Sequence, residues 1–179
     1  MENKISPAKS GLQLGLLFGA IMVLEFAISY VIGIDKLIGT SFGVIVNLLN
    51  YLILPLLFIF LACNNYKKIN NGFVTFSECL KIGVSITIIA ALIYAVFNLI
   101  FNLIFPEFIE QILSITRSEM IKKKPDLTSE QIEMAVSMTK KFLNPYIVFP
   151  VTIAMYAFFG LIYSLIIGAI VKKDPNQSF

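Results

Sequence analysis

The chain has 179 residues, 58% of them hydrophobic and only 14% charged, with mean hydropathy +0.85. A soluble domain is nearer half apolar and a quarter charged, so the composition excludes a soluble globular protein and leaves too little polar sequence for a large separate domain. The net charge of +3 carries no basic patch that would read as a nucleic-acid site, and in a membrane chain the position of each Lys matters more than the sum.

Four segments reach the roughly 20 apolar residues that a membrane-spanning helix needs. They lie at about 11–34, 41–62, 80–105 and 146–171. The fold class is therefore all-α, an integral membrane four-helix bundle in one domain over 1–179. The stretch GLLFGAIMVLEFAISYVIG in the first span holds a carboxylate, Glu25. Gly11, Gly15 and Gly19 of the same span recur every fourth residue and predict a close helix–helix seam. Asp35-Lys36-Leu37-Ile38-Gly39 is a short turn that makes the first two spans an antiparallel hairpin. The polar run 64–72 predicts a loop before the third span. Cys63 and Cys79 flank that loop without a CxxC spacing, and the chain has no His, so neither a metal site nor a cofactor is expected. In the fourth span Ala157, Gly160, Ser164 and Gly168 form a second small-residue stripe.

An ionised carboxylate at mid-span costs roughly 2.5–3.5 kcal/mol on insertion scales. Glu25 is thus expected either neutral or in a polar cavity with donors. Counting about 1.5 Å per residue back from Gly33 puts it about 12 Å inside the boundary. Asn50 of the second span reaches a similar depth, bracketed by Tyr94 and Asn98 of the third and Tyr156 of the fourth. These five residues are the candidate polar pocket, and Glu25 is expected within hydrogen-bond reach of at least one of the other four. Thr87, Tyr94, Asn98 and Asn102 fall on one predicted face of the third span.

Between the third and fourth spans, residues 106–144 are charged and amphipathic. Phe108, Ile109, Ile112, Leu113, Thr116 and Met120 make one apolar stripe. Lys122-Lys123-Lys124-Pro125-Asp126 breaks the helix, and Thr128-Ser129-Glu130-Gln131 is a capping box for a second one. That helix carries Ile132, Ala135, Val136, Thr139, Phe142 and Leu143 on one face and ends at Asn144-Pro145. The prediction is an extramembrane helical hairpin folded on itself over the mouth of the bundle. Lys4, Lys9, Lys67, Lys68, Lys81, Lys172 and Lys173 fall on one side and Lys36 in the short loop on the other. Arg117, Lys122, Lys123, Lys124, Lys140 and Lys141 of the long third loop even the raw count, but most lie far from the spans among equal numbers of acids, so both termini are expected in the cytoplasm.

FPEFIEQ after the third span and SEQIEMAVSMTKKFLNP before the fourth resemble the extramembrane region of a bacterial family known as domain of unknown function 4199, found mainly in Bacteroidetes. GFVTFSECLKIG and LIIGAIVKKDP fit the same pattern, so the resemblance covers nearly the whole chain. It implies a four-helix inner-membrane protein and brings no activity, catalytic residue or cofactor. Glu25 belongs to no pattern carried over from it. The leading functional reading is a non-enzymatic inner-membrane protein, structural or partner-binding through its outer hairpin. The alternative is a small oligomeric carrier or channel subunit with a polar outward-facing pocket around Glu25. The partners expected are the lipid bilayer and a protein partner or a second copy, with no nucleic acid.

Overall fold

The order of elements follows from where apolar helices run and where caps stop them. The computed structural model describes residues 6–174. A short helix α1 (Pro7–Ser10) leads into α2 (Leu12–Ile32), and a single 3₁₀ turn at Ile34–Lys36 connects to α3 (Ser41–Leu48). A π-helical turn (Leu49–Ile53) joins α3 to α4 (Leu54–Ile69), so the second apolar helix is one continuous rod from Ser41 to Ile69. Next come α5 (Phe76–Ile104), α6 (Glu107–Lys123), α7 (Ser129–Phe142) and α8 (Pro145–Val171). Four helices are long and apolar enough to cross a membrane: α2, the α3–α4 rod, α5 and α8. The chain is therefore an all-α, multi-pass membrane protein in contact with the bilayer.

The rod and α5 both run further than their apolar stretches. The residues 64–69, expected in a loop, continue α4, because Asn64, Tyr66, Lys67 and Lys68 do not interrupt helical hydrogen bonding. Cations in a last turn also suit the negative end of the helix dipole. The helix stops where Asn71 and Gly72 take positive φ, 54° and 84°. α5 begins at Phe76 because Thr75 caps it: its hydroxyl accepts from the Glu78 backbone N–H, and the Glu78 carboxylate takes the Thr75 N–H at 2.8 Å.

α5 is the helix on which the others assemble, packing against α2, α4 and α8. Both small-residue stripes face it. A Cβ on Gly15 would stand 3.0 Å from Ile89 Cβ, and one on Gly19 would stand 2.8 Å from Ile93 Cδ1. On the other side, Gly160 lies against Thr87, and Gly168 lies against Phe76 and Cys79. Ser164 meets Gly83. The seams thus join helices within one chain. Lipid tails offer helices no hydrophobic reason to associate, so this backbone proximity supplies the dispersion contact that holds them. Phe18, Ile59, Ile82, Ile86, Cys63 and Cys79 are fully buried at the centre.

The two ends of the bundle are fastened differently. At the end where α4 and α8 finish, Lys67 Nζ donates to the terminal Val171 carbonyl of α8 at 2.9 Å. Val74 and Lys173 exchange two backbone hydrogen bonds there, and Tyr66 donates to Glu78 Oε1 at 3.0 Å. At the opposite end aromatic rings do the work. Phe26 and Tyr30 of α2, Phe101 of α5 and Phe108 of α6 stack edge to face with centroids 4.8–5.7 Å apart, a separation at which such pairs attract.

Candidate functional site

The site lies at the aromatic end, and its floor is set by a local fault in the second rod. Pro55 has no N–H. In a regular α-helix that N–H would bond the Tyr51 carbonyl, and in a π turn the Asn50 carbonyl. Both oxygens are left free, and α8 supplies their donors: Tyr163 OH reaches the Tyr51 carbonyl at 2.5 Å and Tyr156 OH the Asn50 carbonyl at 3.5 Å. The Leu49 carbonyl takes the Leu54 N–H in the widened turn. This widening brings Asn50 and Tyr51 to the wall of a cavity between the rod, α2, α5 and α8.

The cavity measures about 280 Å³. Glu25 and Phe26 of α2, Asn50 of the rod, Tyr94 of α5 and Tyr156 of α8 stand on its walls. Ile34, Leu37 and Ile38 of the α2–α3 turn and Ile112 of α6 also line it. The hairpin is thus part of the site. α6 is anchored at its start by Phe108 and near its end by Lys123, whose ammonium donates to the Gly39 carbonyl in the α2–α3 turn. A helix pinned to the bundle at both ends lies across it. The same Lys123 ammonium is hydrogen-bonded to Glu119 and, with Lys122, holds that carboxyl below its ordinary value. α7 folds back on α6 through Leu113, Ile132 and Val136, reinforced by Arg117–Glu133 and Lys140–Glu110 ion pairs, each at 2.7 Å.

Of the five residues expected at a polar pocket, Glu25, Asn50, Tyr94 and Tyr156 line this one cavity. Asn98 is not among its lining residues. It lies one turn beyond Tyr94, where its Oδ1 accepts from Asn102 Nδ2 at 3.2 Å. The expected polar face of α5 divides in the same way. Thr87 is buried against Gly160 and returns its hydroxyl to the Gly83 carbonyl, Tyr94 meets the cavity, and the two asparagines serve each other.

Among the described residues, none makes the expected hydrogen bond to Glu25. Its Oε2 is buried with no partner among the described residues, and so is Asn50 Oδ1. Two of the neighbouring donors are committed elsewhere: Tyr156 OH to the Asn50 carbonyl and Asn50 Nδ2 to the Val46 carbonyl at 3.3 Å. A buried acceptor left without a donor costs about 1–3 kcal/mol. The cavity therefore holds two buried acceptors without donors and, among the described residues, no Lys or Arg on its walls. Among those residues no group of three or more His, Cys, Asp or Glu gathers as a metal-ligating cluster, and Cys63 and Cys79 are buried free thiols.

Three contributors to the site are not singled out in sequence: Pro55, Tyr51 and Tyr163. Pro55 was the available signal. A proline inside an apolar span frees carbonyls one turn back, and those carbonyls need donors from a neighbour.

The family model described as Protein of unknown function (DUF4199) matches residues 13–173 of the chain, the bundle and its hairpin together. No curated protein and no solved structure matches it.

Proposed function

The chain belongs to the DUF4199 family of proteins of unknown function, and from that premise we propose that it is a non-enzymatic, small-ligand-binding protein of the bacterial inner membrane. Its hairpin acts as a cap on the binding cavity. The observation that carries this reading is the cavity itself: four polar or aromatic side chains from four different elements converge on it, under a roof made by α6 and the α2–α3 turn. Ligand sites in helical proteins form between helices in this way, with few polar groups among apolar walls. The absence of His from the sequence, which removes the commonest general base, supports a binding role over catalysis. Four spans are few for a transport path, so a carrier or channel role would require several copies to assemble around such cavities. Lys67, Lys68, Lys172 and Lys173 support a cytoplasmic placement of the opposite end, with cavity and hairpin on the outer side.

The experiment is purification in native-like lipid followed by mass spectrometry of retained small molecules. The parent is expected to retain a compound that Ile38→Trp, filling the cavity from the turn, does not. Identical small-molecule profiles would overturn the cavity as a binding site. A second reading, a partner-binding hairpin, is favoured by Met134, Met138 and Phe142, which recur every fourth residue on α7 and remain mostly exposed. A protein retained by the parent and lost on Met138→Glu would support it.

A further inference from the structure

We propose that the cavity's ligand is a small organic ammonium, a protonated amine on an apolar body no larger than about one aromatic ring. This deepens the reading of the cavity as a ligand site and rests on it. Three features of the walls define the class.

The first is a pair of buried acceptors without donors. Glu25 Oε2 and Asn50 Oδ1 are buried without donors, and both residues line the same cavity. An ammonium group brings up to three N–H donors and no acceptor. It brings donors to two oxygens that no group among the described residues serves, while Asn50 Nδ2 and Tyr156 OH are committed to the Val46 and Asn50 carbonyls. The second is charge. One carboxylate stands on the walls with no Lys or Arg beside it among the described residues, which disfavours an anion and favours a cation. The third is the character of the remaining wall. The rings of Tyr51, Tyr94, Tyr156 and Phe26 offer faces that attract a cation and accommodate an apolar body.

Size narrows the choice. The cavity, about 280 Å³, is roughly twice the ~150 Å³ that admits benzene in an apolar core. A bare hard metal ion fits poorly, because it takes about six or more oxygen ligands and most of this wall is apolar or aromatic. Binding is non-covalent: the ammonium keeps its protons and shares them with Glu25 and Asn50.

The test uses the full chain in lipid nanodiscs, titrated calorimetrically with methylammonium, benzylammonium and phenethylammonium. Benzyl alcohol and benzoate are the neutral and anionic counterparts. At least one ammonium is expected to bind saturably, at least tenfold tighter than benzyl alcohol, with benzoate showing no binding. Glu25→Gln keeps the shape of the side chain and should lower ammonium affinity at least tenfold while leaving benzyl alcohol unchanged. Asn50→Asp adds a second carboxylate and should tighten ammonium binding several-fold, which keeps the test decisive if the Gln variant does not fold. Benzyl alcohol binding as well as the amines would overturn the ligand class and leave the cavity reading standing. No binding by any probe would overturn both. Equal ammonium affinity in the parent and Glu25→Gln would overturn the assignment of Glu25 as the ammonium's carboxylate.

Discussion

Tyr163 and Pro55 show how one residue sets the chemistry of another across a helix interface. Pro55 withholds an N–H, the Tyr51 carbonyl is left free, and the Tyr163 hydroxyl takes it at 2.5 Å. In hydrocarbon no water can substitute for that donor. Tyr163→Phe should therefore lower stability by about 1 kcal/mol, inside the range measured for hydrogen bonds between membrane helices. Pro55→Leu returns a backbone N–H to the rod, so in that background the same Tyr163→Phe change should cost close to nothing. Unfolding of the four proteins in mixed micelles measures the coupling. Equal losses in both backgrounds would mean that the Tyr51 carbonyl does not depend on Tyr163. Glu25 is the contrasting case, since its Oε2 has no such donor from a neighbouring helix.

At the scale of elements, α5 is the most constrained helix because small residues bring a neighbour close on either side of it. Its tightest approach to α8 is at Gly83, where an added Cβ would fall on Ser164 Oγ and stand 2.9 Å from Ile59 Cγ2. Overpacking of this kind costs about 1–3 kcal/mol. Gly83→Ala should show that loss in thermal unfolding in detergent. Adding Ser164→Gly should restore part of it, with the remainder assigned to Ile59. A Gly83→Ala protein as stable as the parent would show that α5 and α8 can separate without loss, and that the seam is not what holds them. The stripe at Gly160, Ser164 and Gly168 was readable from its spacing. Its partner stripe has the same spacing, Cys79, Gly83, Thr87, Ala91 and Ala95 on α5, but only the packing shows that the two stripes face each other.

For the whole molecule, the alternation of four spans places α1, the end of α8 and the α4–α5 connection at one end of the bundle, and the hairpin and α2–α3 turn at the other. In the orientation proposed from the lysine bias, the hairpin lies outside. A cysteine placed at Ser129, at the exposed start of α7, should react with a membrane-impermeant thiol reagent in intact cells. Cys63 and Cys79 are buried, so the background should be low. A reporter fused after Lys173 should behave as cytoplasmic. Labelling at Ser129 only after permeabilisation would reverse the orientation and put the cavity's roof in the cytoplasm.

Sequence by itself determined the features that depend on local, one-dimensional order. Four apolar runs of sufficient length dictate four membrane helices, since an unpaired backbone cannot cross lipid. A capping box and two apolar stripes dictate the hairpin, and indeed Thr128 and Gln131 cap α7 as their spacing implies. Apolarity was a poor guide to helix ends, because α4 and α5 are bounded by backbone conformation and by the Thr75–Glu78 cap rather than by hydropathy. Only the tertiary structure decided which polar groups share a cavity. Depth along a helix can be counted, but rotation about its axis is set by the neighbour it packs against. Asn98 and Tyr94 differ by one turn, yet Tyr94 meets the cavity while Asn98 pairs with Asn102. The unpartnered oxygens of Glu25 and Asn50 were equally out of reach of the sequence, because whether a buried acceptor finds a donor depends on side chains brought together by four separate helices.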